Sequence, residues 1–190
     1  MAQQELLLNV IRAMERAGLE YMLTGSLVSS LQGEPRSTHD IDVVIVLRSE
    51  AIPILAQSFP WPDYYFDEQM AREALRLNSM FGLLDQRGGD KVDFWLLTQE
   101  PFDRSRFARR CTEEVLGVKA FVSAPEDTIL AKLRWCSLSG GSERQFRDAL
   151  SVYELQFTSL DIPYIEEWVS HLNVEQYWQR LRKEARPLEW

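Results

Sequence analysis

The chain has 190 residues, of which 45% are hydrophobic and 26% charged, a balance that fits a folded globular protein and excludes a disordered one. Acidic residues outnumber basic ones by 29 to 21, for a net charge of −8, which argues against unspecific nucleic-acid binding through a basic surface. The same balance suits a site that concentrates divalent cations.

Residues 4–17 place Leu6, Leu7, Val10, Ile11 and Met14 at helical spacing, and Gly18 ends that helix. Charges flank its apolar part, so it does not read as a signal peptide, and no run in the chain approaches a membrane span. Residues 19–24 (LEYMLT) read as a short strand, and Ser26 to Leu31 as one or two helical turns closed by Gly33 and Pro35. Residues 41–47 (IDVVIVL) are β-branched and continuous, as an interior strand requires. A helix is expected from Ser49, with Pro53 tolerated near its first turn, and another over 67–76. The segment NSMFGLLDQRGGDKVDFWLL reads as two strands around a Gly-Gly-Asp turn, and 112–123 as a weaker hairpin or an edge strand.

From Ser123 the pattern turns helical. Ser123 and Glu126 have capping-box spacing, and the helix they open runs to about Leu138, stopping at Ser139-Gly140-Gly141. Further helices are expected over 142–156, 162–172 and 174–185. The organisation is therefore a mixed α/β part over 1–122 followed by a helical part over 123–190. Cys111 and Cys136 match no zinc spacing, so a reduced cytoplasmic protein is expected, with a disulfide as the alternative.

The chemistry concentrates at the mouth of the interior strand. Asp40 and Asp42 are one residue apart, so in a strand both carboxylates face the same way with Cα atoms about 6.5 Å apart. Two like charges so placed repel unless a cation lies between them, and Mg²⁺ is a hard ion that takes carboxylate oxygens. The structural alternative has Asp40 capping a turn and Asp42 meeting Arg36. Asp93, between Val92 and Phe94, is a third carboxylate in an otherwise apolar strand, and Lys91 shares its face. If the two strands are neighbours, three aspartates surround one point and can hold two metals. Otherwise Asp93 answers Lys91. The Gly25-Ser26 turn adds a close backbone approach and a helix start whose N–H groups favour a phosphate.

Gly25, Ser26, Asp40, Asp42 and Asp93, in this order and strand context, resemble the polymerase-β nucleotidyltransferase superfamily over roughly residues 20–96. The tail segments APEDTILAKLRW and ERQFRDALSVYEL look like its minimal, AbiEii-type branch, whose members include toxins of toxin–antitoxin systems. The resemblance implies an α/β (α+β) nucleotidyltransferase fold, a mixed sheet flanked by helices and followed by a helical part. It implies Mg²⁺- or Mn²⁺-dependent transfer of a nucleoside monophosphate from an NTP to a hydroxyl acceptor on tRNA, a protein or a small molecule. An antitoxin partner follows from the toxin branch, and no membrane is involved. In the implied site Asp40, Asp42 and Asp93 are catalytic and bind metal, while Gly25, Ser26, Arg36 and Lys132 bind the nucleotide. The alternative is a nucleotide-binding or partner-binding module that keeps the fold without catalysis.

The remaining polar residues carry two readings each. Lys132, at the margin of the stripe Ile129, Leu130, Leu133 and Cys136, either reaches the triphosphate or lays its stem on the core. Arg144 with Asp148, and Glu143 with Arg147, have the spacing of surface ion pairs, with nucleotide or RNA contacts by Arg144 or Arg147 as the alternative. His39 beside Asp40 suits solvent better than Mg²⁺, and His171 reads as structural. Trp168, Tyr177 and Trp178 recur at helical spacing and read as core, with base-stacking platforms as the alternative.

Overall fold

The computed structural model describes residues 2–187. The chain divides into two compact units, Met1–Leu27 with Thr38–Val122, and Val28–Ser37 with Ser123–Trp190. No helix among the described residues is long and apolar enough to cross a membrane.

In the first unit α1 (Ala2–Arg16) precedes β1 (Tyr21–Thr24), and α2 (Gly25–Gln32) starts directly from that strand. Then come β2 (Asp40–Ile45), α3 (Ala51–Ser58), β3 (Tyr64–Phe66), α4 (Glu68–Leu77), β4 (Met80–Asp85), β5 (Lys91–Leu96), α5 (Pro101–Ala108), β6 (Cys111–Val115) and β7 (Val118–Val122). The seven strands form one mixed sheet in the order β3-β4-β5-β2-β1-β7-β6. The β-branched run of β2 thus lies at the centre, antiparallel to β1 and parallel to β5. The hairpin expected around the Gly-Gly-Asp turn forms, β4 pairing with β5, and the segment expected as a hairpin or an edge strand forms the β6–β7 hairpin with β6 at the sheet edge. Gly18 ends α1 with a φ of +61°, a conformation that favours glycine. Asp67 caps α4, its carboxylate accepting from the N–H groups of Gln69 at 2.8 Å and Met70 at 3.1 Å.

The two faces of β2 and β5 differ. Ile41, Val43, Ile45, Val92 and Phe94 are buried on one. There an aromatic series runs from Phe59, just past α3, through Phe66 and Phe81 to Phe94, with the last pair stacked at 5.0 Å. On the other face Val44 and Met22 pack with Phe107 of α5, and Val46, Trp95 and Leu97 join them. That small cluster covers the carboxyl-terminal half of the face. The aspartates occupy the amino-terminal half.

Sequence reasoning missed β3 and α5. A three-residue strand such as β3 carries too little periodicity to stand out. For α5 the signal was present, with Pro101 at the first helical position and Asp103 in the first turn.

The second unit comprises α6 (Pro125–Leu138), α7 (Glu143–Gln156), a 3-10 turn (Phe157–Ser159), α8 (Ile162–His171) and α9 (Glu175–Glu184), joined by Val28–Ser37. The expected capping box at Ser123 does not form. The cap position is Ala124, with no side-chain bond. Pro125 follows it, and the fixed φ of proline starts the helix without a side-chain cap. Ser123 Oγ donates to the Ala124 carbonyl instead, and Glu126 accepts the Asp161 N–H at 3.0 Å. Trp178 is buried and meets Tyr153 edge to face at 5.5 Å, while Trp168 and Tyr177 are half-buried. Cys136 is buried, and both it and Cys111 are free thiols.

Asp148 ties this unit together. Its carboxylate receives Arg36 through Nε at 3.0 Å and Nη2 at 2.8 Å, and Lys132 Nζ at 2.7 Å. The side chains of Lys132 and Asp148 are only 6% and 9% exposed. This replaces the expected surface pair of Asp148 with Arg144, because the Asp148 face of α7 is turned inward. Gln32 adds a bond to the Ser123 carbonyl at 2.7 Å, and Gln156 one to the Gln32 carbonyl at 2.9 Å. Burial works to raise the Asp148 pKa, but the bonds from Arg36 and Lys132 outweigh it and hold the carboxyl below its ordinary 3.8. A carboxylate with a depressed folded pKa contributes stability that is present above its unfolded value and lost as pH falls through the folded one.

Asp148→Ala leaves the buried Lys132 ammonium and the partly buried Arg36 guanidinium without that carboxylate and is expected to cost about 3–5 kcal/mol in urea unfolding at pH 7. The difference from the wild type should shrink below about pH 4 and vanish as Asp148 protonates.

Candidate functional site

The parallel register of β2 and β5 sets Asp42 directly opposite Asp93, and Asp40 opposite Lys91. Because side chains alternate along a strand, Asp40, Asp42, Lys91, Asp93 and Trp95 share one face. Three of the residues singled out in the sequence thus meet at one end of one sheet face. Thr24 on β1 lies opposite Asp42 on the other side, and Gly82 on β4 lies opposite Asp93.

Asp42 is held from two directions. The Trp95 indole N–H donates to Asp42 Oδ1 at 3.2 Å. Gly25, with a φ of +71°, brings the start of α2 so close that a Cβ there would lie 2.0 Å from Asp42 Oδ2. Glycine is required twice here, for the left-handed backbone and for the space. Ser26 follows at the start of α2, where the first N–H groups of the helix lack intrahelical acceptors.

Asp93 and Asp40 meet Lys91. Its ammonium lies 2.9 Å from Asp93 Oδ2 and 3.9 Å from Asp40 Oδ1. The hydrogen bond that Lys91 donates to Asp93 is the chief cause that raises the lysine pKa; burial opposes it, and the charges of Asp93, Asp40 and Asp42 add to the rise. Lys91 is therefore cationic throughout the neutral range. It is 47% exposed, as against 16% for Asp93 and 51% for Asp40.

Arg36 and Lys132 are both held by Asp148 in the helical unit. His39 is 81% exposed and faces Asp90 at 3.2 Å. His171 Nδ1 lies 2.8 Å from the Glu167 carbonyl of its own helix. Trp95 and Gly82 escaped sequence reasoning. For Trp95 the signal was its position two residues past Asp93, which places it on the same face.

The donor set suits a hard divalent cation. Mg²⁺ is bound by one or two carboxylates with the remaining oxygens supplied by waters and substrate phosphates, not by a closed protein cage. Among the described residues no three His, Cys, Asp or Glu side chains are grouped so as to hold a metal as they stand. Asp42 and Asp93, paired across two strands, nevertheless supply the two carboxylates such a site needs, and the Lys91 ammonium already stands beside one of them as a cation.

No family model and no curated protein matches the sequence. Solved structures do match its fold. The crystal structure of an antigenic nucleotidyltransferase-like protein from Paracoccidioides brasiliensis is 16% identical, covers 98% of this chain and 95% of its own, and superposes with a TM-score of 0.51. The solution structure of the antibiotic-resistance factor ANT(2'')-Ia is 13% identical, covers 96% of this chain and 97% of its own, and gives a TM-score of 0.52. The chain therefore has a nucleotidyltransferase-like α+β fold built on a seven-stranded mixed sheet.

Gly25→Ala forces a Cβ into the Asp42 carboxylate and a left-handed φ onto an alanine. The expected cost is on the order of 1–3 kcal/mol, seen as a lowered melting temperature. Asp42→Ala in the same chain should recover part of it, because the contacts with the carboxylate disappear while that with the Asp42 Cβ at 2.8 Å remains.

Proposed function

We propose that the chain is a metal-dependent nucleotidyltransferase that moves a nucleoside monophosphate from an NTP to a hydroxyl acceptor. The observation that carries this reading is the pairing of Asp42 with Asp93 across β2 and β5, with Gly25 packed against Asp42. All of these residues belong to the first unit.

Asp42 and Asp93, with Asp40 beside them, would hold Mg²⁺ or Mn²⁺, which supplies charge neutralisation at the phosphates when bound. The N–H groups at the start of α2, from Gly25 and Ser26 onward, receive the β- and γ-phosphates. Asp93 takes the proton of the acceptor hydroxyl. That oxygen bonds to the α-phosphorus while the bond from the α-phosphorus to the bridging oxygen breaks, and pyrophosphate leaves with the electron pair. Little covalent chemistry falls to the protein, so its contribution is positioning and electrostatic stabilisation. Trp95 serves this by fixing the Asp42 carboxylate.

The finer affiliation with the AbiEii-type branch, and with it a toxin role, rests on the two tail segments alone. A second reading, a nucleotide-binding or partner-binding module without catalysis, is favoured by the Lys91 ammonium that engages Asp93. Calorimetric titration with NTP and Mg²⁺ beside a pyrophosphate-release assay separates the two. Tight binding with no turnover on tRNA, protein and small-molecule acceptors selects the module.

For the enzyme, cell extract incubated with α-labelled NTP and the protein should yield a labelled acceptor. Asp42→Asn, verified as folded by circular dichroism, should reduce labelling at least a hundredfold, the scale expected when a preorganised charge is removed from such a site. Undiminished labelling by folded Asp42→Asn would overturn the assignment.

A further inference from the structure

Lys91 stands where the proposed function requires a different cation. Its ammonium touches Asp93 at 2.9 Å and lies 3.9 Å from Asp40, on the face that also carries Asp42. The register explains why it is there. Lys91 is opposite Asp40 and precedes Asp93 by two residues, so the pleat directs its stem along the row of aspartates. It is also open to exchange. Nearly half of the side chain is exposed, and an exposed ion pair of lysine with a carboxylate is worth little because water and salt screen it.

We propose that Lys91 is the built-in counter-ion of the carboxylate face, holding Asp93 and Asp40 until a divalent cation displaces it. The inference rests on the metal-dependent reading above and adds to it a competition between the ammonium and the metal. Without Lys91, strand pairing leaves Asp42 and Asp93 side by side with like charges, which costs stability and leaves the face attractive to any cation. With Lys91 present, a cation alone binds weakly, and one that arrives with phosphates gains the extra ligands needed to displace the ammonium. The lysine thus biases the site toward the metal–nucleotide pair over the bare ion.

The test is titration of nucleotide-free protein with Mn²⁺, following the free ion by electron paramagnetic resonance, in wild type, Lys91→Met, Lys91→Gln and Lys91→Arg. Circular dichroism checks each fold, and the half-exposed position at the start of β5 means that at least one neutral variant should remain native. Both neutral variants should bind Mn²⁺ about tenfold more tightly, the scale of one positive charge removed near a screened site. Lys91→Arg should behave as wild type. Added to either neutral variant, Asp93→Asn should abolish the gain. The neutral variants should also melt below wild type without metal and recover when Mn²⁺ is added. Equal Mn²⁺ affinity in wild type and the neutral variants would overturn the role of Lys91 and leave the metal reading intact. No Mn²⁺ binding in any variant, or binding indifferent to Asp93→Asn, would overturn both.

Discussion

The central constraint is electrostatic: a parallel strand pair sets two carboxylates, Asp42 and Asp93, side by side on one face of the sheet. Like charges at that spacing repel, and the surroundings are arranged around that fact. Trp95 gives Asp42 an N–H donor, and Gly25 replaces a side chain with a close helix start. Lys91 gives Asp93 and Asp40 a shared ammonium. Each of these groups sits where it does because of strand register or because of the turn that leads directly from β1 into α2.

The rest of the sheet makes that arrangement tolerable. Behind the aspartates, Ile41, Val43, Val92 and Phe94 are buried on the opposite face, locked by the aromatic series from Phe59 to Phe94. Burial of such side chains contributes roughly 1.5–3 kcal/mol each, enough to hold the strands in register against a local repulsion. On the polar face, Phe107 of α5 closes the carboxyl-terminal half over Met22 and Val44. The division of one face into an apolar half and a carboxylate half keeps the aspartates accessible while their backbones remain part of a rigid sheet.

Asp148 shows the contrasting use of a carboxylate. It meets a bidentate guanidinium and an ammonium in a place nearly closed to water, and its pKa falls despite burial. Its role is to bind Val28–Ser37 to α6 and α7. The Lys91 ammonium, in comparison, is half exposed and divided between two carboxylates. A closed cluster fixes a fold; an open one can exchange its cation for another.

Local patterns made much of this legible. The period of the apolar residues marked α1, α4 and the four helices after Ser123, and the β-branched run marked β2 as interior. The Gly-Gly-Asp turn gave the β4–β5 hairpin, and strand alternation placed Asp40 and Asp42 on one face. These features depend on neighbours in sequence, and sequence displays them. What depended on partners far along the chain was hidden. That Arg36 and Lys132 converge on Asp148, that Glu126 bonds Asp161, and that Trp95 holds Asp42 are decided by which helix face or strand edge packs against which. The meeting of Asp42 with Asp93 belongs to both levels. The sequence determined three carboxylates at strand positions and a glycine turn before them, because alternation and turn chemistry are local. Only the tertiary structure decided that β5 lies parallel to β2 in a register that sets residue 93 opposite residue 42, because strand order is fixed by the burial of two sheet faces at once.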